Sequence, residues 1–212
     1  MSRKELSWLI AALALAFALG AWLRWSALPG QVTGDNQTVI ALLTDTGWPS
    51  EGPPDADVTM VVFTDYRCPA CRLSDGPMRR ALAEDGNVRV IYRDWPVFGE
   101  ASRQAARIAM AADVQGRYVA LHERLMRARG IESEAAVLAE FAATGGDVAR
   151  LKADLARGSE AIDHALARTR QDATTLGVRG TPTYLIGRRR IEGALSQRQF
   201  ARAFAAAREQ AK

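Results

Sequence analysis

The stretch of sequence that decides the fold is VTMVVFTDYRCPAC, residues 58–71. Its first part, Val58–Phe63, is an apolar run rich in β-branched residues, which predicts a strand buried on both faces of a sheet. The motif Cys68-Pro69-Ala70-Cys71 follows closely and opens a predicted helix that runs to about Glu84, with Gly86 as its stop signal. The only two cysteines of the chain are therefore expected at the turn where a buried strand gives way to a helix.

The segments beyond this turn predict an α/β fold. Val88–Tyr92 is a second apolar run, so that strand, helix and strand follow one another as in a βαβ unit. Residues 99–176 are Ala-rich and helical in pattern, which we interpret as a helical insert. Strand character returns at Thr183–Ile186 and again at Arg189–Glu192, and a last amphipathic helix is predicted from Ser196.

The spacing of the two cysteines needs a chemical explanation. A disulfide that closes so short a loop removes little entropy from the unfolded chain, so the pair is a poor structural staple. Structural zinc usually takes four Cys or His ligands, and copper favours a further soft ligand. The chain has no second cysteine pair, and His122 and His164 both fall in the helical insert. Redox chemistry is the favoured interpretation, with a metal site as the weaker alternative.

The position of the pair predicts how the two thiols differ. Unpaired N–H groups and the helix dipole at a helix N-terminus favour a thiolate. Cys68, first in the turn, is predicted to be the exposed nucleophile. Cys71, one turn further in, is predicted to be shielded and to resolve a mixed disulfide by attacking Cys68. Pro69 suits the first helical position, and no cofactor is expected beyond the redox-active disulfide of the pair.

The N-terminal segment predicts export of the rest of the chain. Leu6–Leu23 carries no charge, and its length of about 27 Å as a helix matches a bilayer core. This is long for a cleaved signal, so we expect an uncleaved anchor, with cleavage as the alternative. Arg3 and Lys4 precede the run, and after Arg24 no Lys or Arg occurs until residue 67. The positive-inside rule then leaves the N-terminus in the cytoplasm and the cysteine pair in an oxidising compartment.

Composition excludes several other classes of protein. The chain has 212 residues, of which 48% are hydrophobic and 25% charged, as in one globular domain with a short appendage. These values exclude a disulfide-scaffold miniprotein, a collagen-like fibre, a disordered chain and a polytopic membrane protein. The net charge of +4 comes from arginines dispersed among acids, without a basic stripe between aromatic residues. Nucleic-acid binding is therefore not expected.

A family resemblance appears when Gly180-Thr181-Pro182-Thr183, placed just before a predicted strand, is added to this order of elements. The chain resembles the DsbA-like branch of the thioredoxin superfamily from about residue 58 to its end. Residues 63–71 are similar to the active-site signature of that family, and Arg93-Asp94-Trp95-Pro96 is similar to the turn after its second strand. The resemblance implies a thioredoxin-like fold with a helical insert, preceded by one transmembrane helix or signal sequence.

The resemblance also implies a function. It implies an extracytoplasmic thiol–disulfide oxidoreductase that forms or exchanges disulfides in exported proteins, with Cys68 and Cys71 as the catalytic pair. Thr181-Pro182 is then a cis peptide packed against that pair, the Thr181 backbone pairs with an extended substrate, and the insert forms a cap beside a groove. The expected partners are exported proteins with thiols or disulfides, and a membrane redox partner that reoxidises or reduces the pair.

The expected location is the bacterial inner membrane, single-pass, with the domain in the periplasm; a soluble periplasmic protein after signal cleavage is the alternative. Two other functions stay open: a thioredoxin-like reductant, and a non-catalytic anchored chaperone or metallochaperone for copper or haem protein assembly. A measured reduction potential distinguishes the reductant from the expected enzyme that forms or exchanges disulfides. A metal assay distinguishes the metallochaperone from that enzyme.

Two departures from the family pattern bear on chemistry. Many relatives carry a buried acid six residues before the first cysteine, where this chain has Val62. The most oxidising relatives place a histidine inside the motif, where this chain has Pro69-Ala70, so we expect a milder oxidant. Asp65 is predicted to be either a loop cap or an electrostatic tuner of Cys68.

These predictions divide the chain into five segments. They are a membrane anchor or signal at 1–30, a tether at 31–57 with one short strand at Val39–Leu43, the βαβ half with the cysteine motif at 58–98, the helical insert at 99–176, and the ββα half with the cis-proline at 177–212.

Overall fold

The computed structural model describes residues 8, 10, 12–17, 19–20, 30–34 and 36–210. The strands are β1 (Gln31–Val32), β2 (Ser50–Glu51), β3 (Val58–Thr64), β4 (Val88–Asp94), β5 (Thr183–Ile186) and β6 (Arg189–Glu192). The helices are α1 (Gln37–Thr44), α2 (Pro69–Asp85), α3 (Glu100–Ala112), α4 (Tyr118–Arg127), α5 (Glu134–Ala142), α6 (Val148–Arg157), α7 (Ser159–Thr175) and α8 (Gln197–Gln210), with a 3₁₀ turn at Asp113–Gln115.

A six-stranded sheet in the order β1-β6-β5-β3-β4-β2 forms the centre of the fold. The strand β3 lies parallel to β4, with α2 as the crossover, and antiparallel to β5. At the carboxyl end of β3, Thr64 is paired with Asp94 and Phe63 is paired with Thr183. The segment that leaves β3 is therefore flanked by the end of β4 and by the start of β5.

The strand β3 is buried on both faces, as its sequence predicts. Met60 and Val62 pack in the core that also contains residues of α2, α8 and the insert. Val61 and Phe63 point to the opposite face and pack in a second core with Leu176. Full burial of such side chains contributes about 1.5–3 kcal/mol each.

The helix α2 begins and ends close to where the sequence predicts. It starts at Pro69, whose missing N–H costs nothing at the first helical position. It ends at Asp85, and Gly86 follows with a φ of 71°, a left-handed conformation that glycine adopts without steric cost. The predicted insert is likewise confirmed as helical: α3 to α7 fall within 99–176, and α3 packs against α4, α5, α6 and α7.

The segment 31–57 differs from the predicted tether. The predicted strand at Val39–Leu43 is wrong, because these residues belong to α1. Asn36 caps this helix by accepting a hydrogen bond from the Thr38 N–H, and Val39 and Leu42, three residues apart, pack against the sheet. The short edge strands β1 and β2 pair with β6 and β4. The polar, glycine-rich composition of this segment is typical of a tether, but the segment forms a two-turn amphipathic helix and two short edge strands.

Trp48 fixes this N-terminal segment to the sheet. The Arg93 guanidinium lies 3.6 Å from the centre of the Trp48 ring, and Arg93 is fully buried. Its charge is matched by ion pairs with Asp45 and Asp172. A cation over an aromatic face contributes about 2 kcal/mol when both groups are desolvated.

The predicted anchor at 1–30 lies largely outside the described residues. Among the residues that are described, no helix is long and apolar enough to cross a membrane. Several apolar side chains in the described part of this stretch are exposed, among them Trp8, Leu15 and Phe17. The membrane anchor remains a prediction.

Candidate active site

The cysteine motif lies at the turn between β3 and α2. Cys68 is the N-cap residue of α2 and has extended backbone angles, with φ −71° and ψ 118°. Its N–H donates to the Asp65 carbonyl at 3.2 Å, and its carbonyl accepts the first helical hydrogen bond from the Arg72 N–H at 3.1 Å. Pro69 is exposed and Ala70 half-buried, so the face of the motif between the two cysteines is open to solvent.

The loop before β5 closes over this turn. The peptide bond between Thr181 and Pro182 is cis, the geometry that the family resemblance implies. The Cys68 Sγ lies 3.2 Å from the Thr181 carbonyl oxygen. Pairing of Phe63 with Thr183 explains this contact, because it aligns the start of β5 with the end of β3.

The burial of the two thiols differs from the prediction. Cys68 was expected to be exposed and Cys71 shielded, but each residue is only 3% exposed. Thr181 lies against Cys68 from a distant part of the sequence, and this contact accounts for the difference. The expectation that Cys68 is exposed is therefore wrong for this conformation.

The two thiols have opposite pKa shifts. The hydrogen bond from Cys71 is the main cause that lowers the pKa of Cys68 from its ordinary value of 9.0 to about 5. The Thr181 side chain and the backbone N–H groups of Ala70 and Cys71 lower it further, against burial, which acts in the opposite direction. Burial, followed by the hydrogen bond with Cys68, raises the pKa of Cys71. At neutral pH Cys68 is thus a thiolate and Cys71 a thiol.

Asp65 connects the cysteine loop to the segment after β4. Its carboxylate is buried and accepts hydrogen bonds from the N–H groups of Arg67, Val97 and Phe98 and from the Ser102 hydroxyl, at 2.7 to 3.1 Å. Of the two predicted roles for Asp65, this geometry favours the loop cap.

Arg72 connects the same turn to the helical insert. Its guanidinium donates to the Tyr66 carbonyl at 3.1 Å and to the Leu125 carbonyl at 3.0 Å, and it also donates to the Ala128 carbonyl. The last two carbonyls belong to the C-terminal end of α4, where the helix dipole favours a cation. The insert is therefore held beside the cysteine motif, as the resemblance implies.

A chain of buried hydrogen bonds lies on the same side of the sheet as the cysteine pair. The Tyr118 hydroxyl donates to Asp94 at 3.0 Å, and the Tyr66 hydroxyl donates to Tyr118 at 3.3 Å. His122 Nδ1 lies 3.2 Å from the Tyr66 hydroxyl, and its Nε2 lies 3.3 Å from Asp75. Burial raises the pKa of Asp94 to about 7.

The sequence places His122 in the helical insert but does not predict this chain of hydrogen bonds. Tyr118 and His122 are four residues apart and share one face of α4, and this spacing is the local signal that the sequence offers. The sequence does not predict that these side chains meet Asp94 on β4 and Asp75 on α2. In contrast, the side chain of His164 is 77% exposed.

The described residues contain no group of three or more His, Cys, Asp and Glu side chains placed to hold a metal ion. The arrangement is instead that of a dithiol at a helix N-terminus beside a cis-proline loop. Fold and site together define a protein of the thioredoxin-like class.

The chain belongs to the thioredoxin family: the sequence model of a family described as Thioredoxin matches residues 45–206. Its fold is similar to three solved structures. A thioredoxin-like oxidoreductase from Silicibacter pomeroyi is 36% identical with a TM-score of 0.75, over 82% of this chain and 98% of that one. A periplasmic thioredoxin-like protein from Salmonella enterica serovar Typhimurium is 28% identical with a TM-score of 0.71, over 82% and 97%. The thiol-disulfide exchange protein alpha-DsbA2 from Wolbachia pipientis is 25% identical with a TM-score of 0.74, over 84% and 97%.

A curated relative matches only in part. The Na⁺/H⁺ antiporter NhaA 1 of Salinispora arenicola is 30% identical over 144 residues, which are 67% of this chain. These 144 residues correspond to 22% of the antiporter, so the chain spans about a fifth of the length of that relative. The similarity is therefore that of one domain to a part of a larger protein.

Proposed function

We propose that the chain is an extracytoplasmic, DsbA-like enzyme that donates its Cys68–Cys71 disulfide to exported proteins. The observation that carries this proposal is the position of Cys68 at the N-terminus of α2, with its Sγ 3.2 Å from the Thr181 carbonyl of the cis-proline loop. The lowered pKa of Cys68, with Cys71 as its hydrogen-bond donor, agrees with this position. A stable Cys68 thiolate favours the reduced form of the enzyme, which makes the disulfide a ready oxidant.

The reaction transfers one disulfide and two electrons. A client thiolate attacks the Cys68 Sγ of the oxidised pair, the S–S bond breaks, and its electron pair passes to the Cys71 Sγ, which takes up a proton. The client's second thiolate then attacks the client sulfur of the mixed disulfide, and Cys68 leaves as a thiolate. The client is oxidised and the pair is reduced, so a membrane redox partner must reoxidise it.

Proton supply to Cys71 is a part of this mechanism that buried groups can serve. Asp75 follows Cys71 by four residues on α2, so the two buried side chains lie on one face of the helix. Asp75 contacts His122, from which hydroxyl groups lead to Asp94. Val62 supplies no acid for proton transfer to the second thiol, and we assign this proton transfer to the chain of groups.

Thr181 is proposed to hold the client. An extended client segment would pair with its backbone next to Cys68, which is a form of strand addition. Membrane attachment and periplasmic location are proposed from the N-terminal sequence: Arg3 and Lys4 precede the apolar run, and Trp8 and Phe17 are exposed for contact with lipid.

The proposal is tested by oxidative refolding of a reduced protein substrate that has two cysteines. The oxidised chain should form one disulfide per equivalent, and Cys68→Ala should form none. Cys71→Ala, preloaded as a mixed disulfide with a single-cysteine version of the client, should retain that client, because no second thiol is present to release it. His164→Ala, an exposed change outside the site, serves as the control. Stoichiometric copper or zinc bound through the pair, without disulfide exchange, would contradict the proposal and favour a metallochaperone.

A further inference from the structure

A groove of about 640 Å³ opens beside the cysteine motif, between the first turns of α2 and the loop that follows α4. We name it the α2–α4 groove. One wall contains Arg67, Pro69, Arg72 and Leu73, and the other is residues 128–132. Arg67 and Pro69 are the sequence neighbours of Cys68, so a polypeptide joined to the Cys68 Sγ lies next to this groove.

The α2–α4 groove exposes one large apolar side chain close to the cysteine motif. Leu73 is 72% exposed although it lies one turn into the catalytic helix, and Ile131 is buried in the opposite wall. An apolar surface of this kind next to a reactive sulfur suits an unfolded segment, in which apolar side chains are accessible.

The charge of the groove is positive. The side chains of Arg67 and Arg129 form no hydrogen bond or ion pair with any described residue, unlike Arg79 or Arg208, whose guanidinium groups bind carboxylates. The third arginine, Arg72, is already held by backbone carbonyls but keeps its charge at the groove. Glu132 is the one acid among the lining residues.

We propose that the α2–α4 groove selects clients whose cysteine is followed or preceded by an acidic residue in an extended segment. The inference rests on the proposed disulfide exchange and names the client class of that site. An extended chain advances about 3.3 Å per residue, so a carboxylate two to four residues from the client cysteine reaches the guanidinium groups of Arg67 and Arg129. Opposite charge raises the encounter rate more than the final affinity, and added salt screens the effect.

The test uses three sets of unstructured peptides, each with one cysteine and with Glu, Gln or Lys two to four residues away on either side. The measured quantity is the rate constant for formation of the mixed disulfide between the peptide thiolate and the oxidised full chain, with correction for each peptide's own thiol pKa. At low salt we expect Glu peptides to react about three- to tenfold faster than Gln peptides and Lys peptides slower by a similar factor. The preference should shrink towards unity at high salt.

Variants separate the groove from a general effect of net charge. The double change Arg67→Gln and Arg129→Gln should bring the ratio of the Glu-peptide rate to the Gln-peptide rate close to one. This ratio is unaffected by any change in rate that all peptides share. Arg170→Gln is the matched control. Arg170 is exposed, like Arg129, and its side chain has no partner among the described residues, but it lines a separate cavity. Glu132→Gln should strengthen the preference.

The outcomes distinguish this inference from the function on which it rests. Equal rates for Glu, Gln and Lys peptides would overturn the proposed preference for acidic clients. If the chain does exchange disulfides, the proposed function would still stand. A preference lost equally in Arg170→Gln would overturn it too. If the oxidised chain reacts with none of the peptides, the proposed function is wrong, and so is the proposed role of the groove.

Discussion

Replacement of Cys71 by alanine tests the source of the low Cys68 pKa. The hydrogen bond from the Cys71 thiol is the largest cause of that shift. A hydrogen bond to a charged group contributes about 1.5–3 kcal/mol, and one pKa unit corresponds to about 1.4 kcal/mol. Cys71→Ala should therefore raise the pKa of Cys68 by about 1–2 units, from about 5 to between about 6 and 7.

The assay is the ultraviolet absorbance of the thiolate, followed against pH in the reduced protein, with the pH dependence of alkylation as a second readout. The wild type should show one titration step near 5, because Cys71 stays protonated. Cys71→Ser is the matched variant: its hydroxyl can still donate, so its step should lie within about half a unit of the wild type. A Cys71→Ala step at the wild-type midpoint would refute the assigned cause.

Three further predictions concern stability. The pKa of Cys68 is lower in the folded state than its ordinary 9.0, so its contribution to the reduced protein is complete above pH 9 and is lost as the pH falls through about 5. Between pH 4 and pH 7 the free energy of unfolding should rise by about 1–3 kcal/mol more in the reduced form than in the oxidised form, after allowance for solvent screening. An equal pH dependence of the two forms would count against a thiolate. His122→Ala should lower the free energy of unfolding by about 1–3 kcal/mol, because it leaves buried polar groups unpaired. His164→Ala should change this free energy by less than about 0.5 kcal/mol. Similar values for the two variants would contradict the buried hydrogen-bond chain. Trp48→Ala should cost about 3–5 kcal/mol, since it removes a buried ring and uncovers the charge of Arg93; a loss below about 1 kcal/mol would show that α1 is not held in this way.

The parts of the fold that sequence predicts well are those determined by local pattern. The strands β3, β4 and β5 carry mainly apolar runs that end at glycine or charged residues. The limits of these strands and of β6 agree with the predicted limits within two residues. The helix α2 begins at a proline and ends at Gly86, two signals with local physical causes.

The parts that sequence does not predict depend on distant partners. The burial of Cys68 comes from Thr181, which is 113 residues away. The family resemblance implies this contact, but no spacing within the motif shows that it covers Cys68. The segment around α1 is polar in composition, and its fold depends on Trp48 meeting Arg93 on β4. The hydrogen-bond chain needs the loop before α2, α2 itself, β4 and α4 to meet, so His122 carries no signal when it is considered alone.

The reduction potential of the Cys68–Cys71 pair, equilibrated with glutathione buffers in the full chain, tests the central claim most directly. Thioredoxin pairs a cysteine pKa of about 7 with about −270 mV, and DsbA pairs about 3.5 with about −120 mV. A Cys68 pKa of about 5 lies between them, which predicts a potential of about −180 mV and a readily donated disulfide. A value at or below about −270 mV would contradict the account and assign the chain to the reductants.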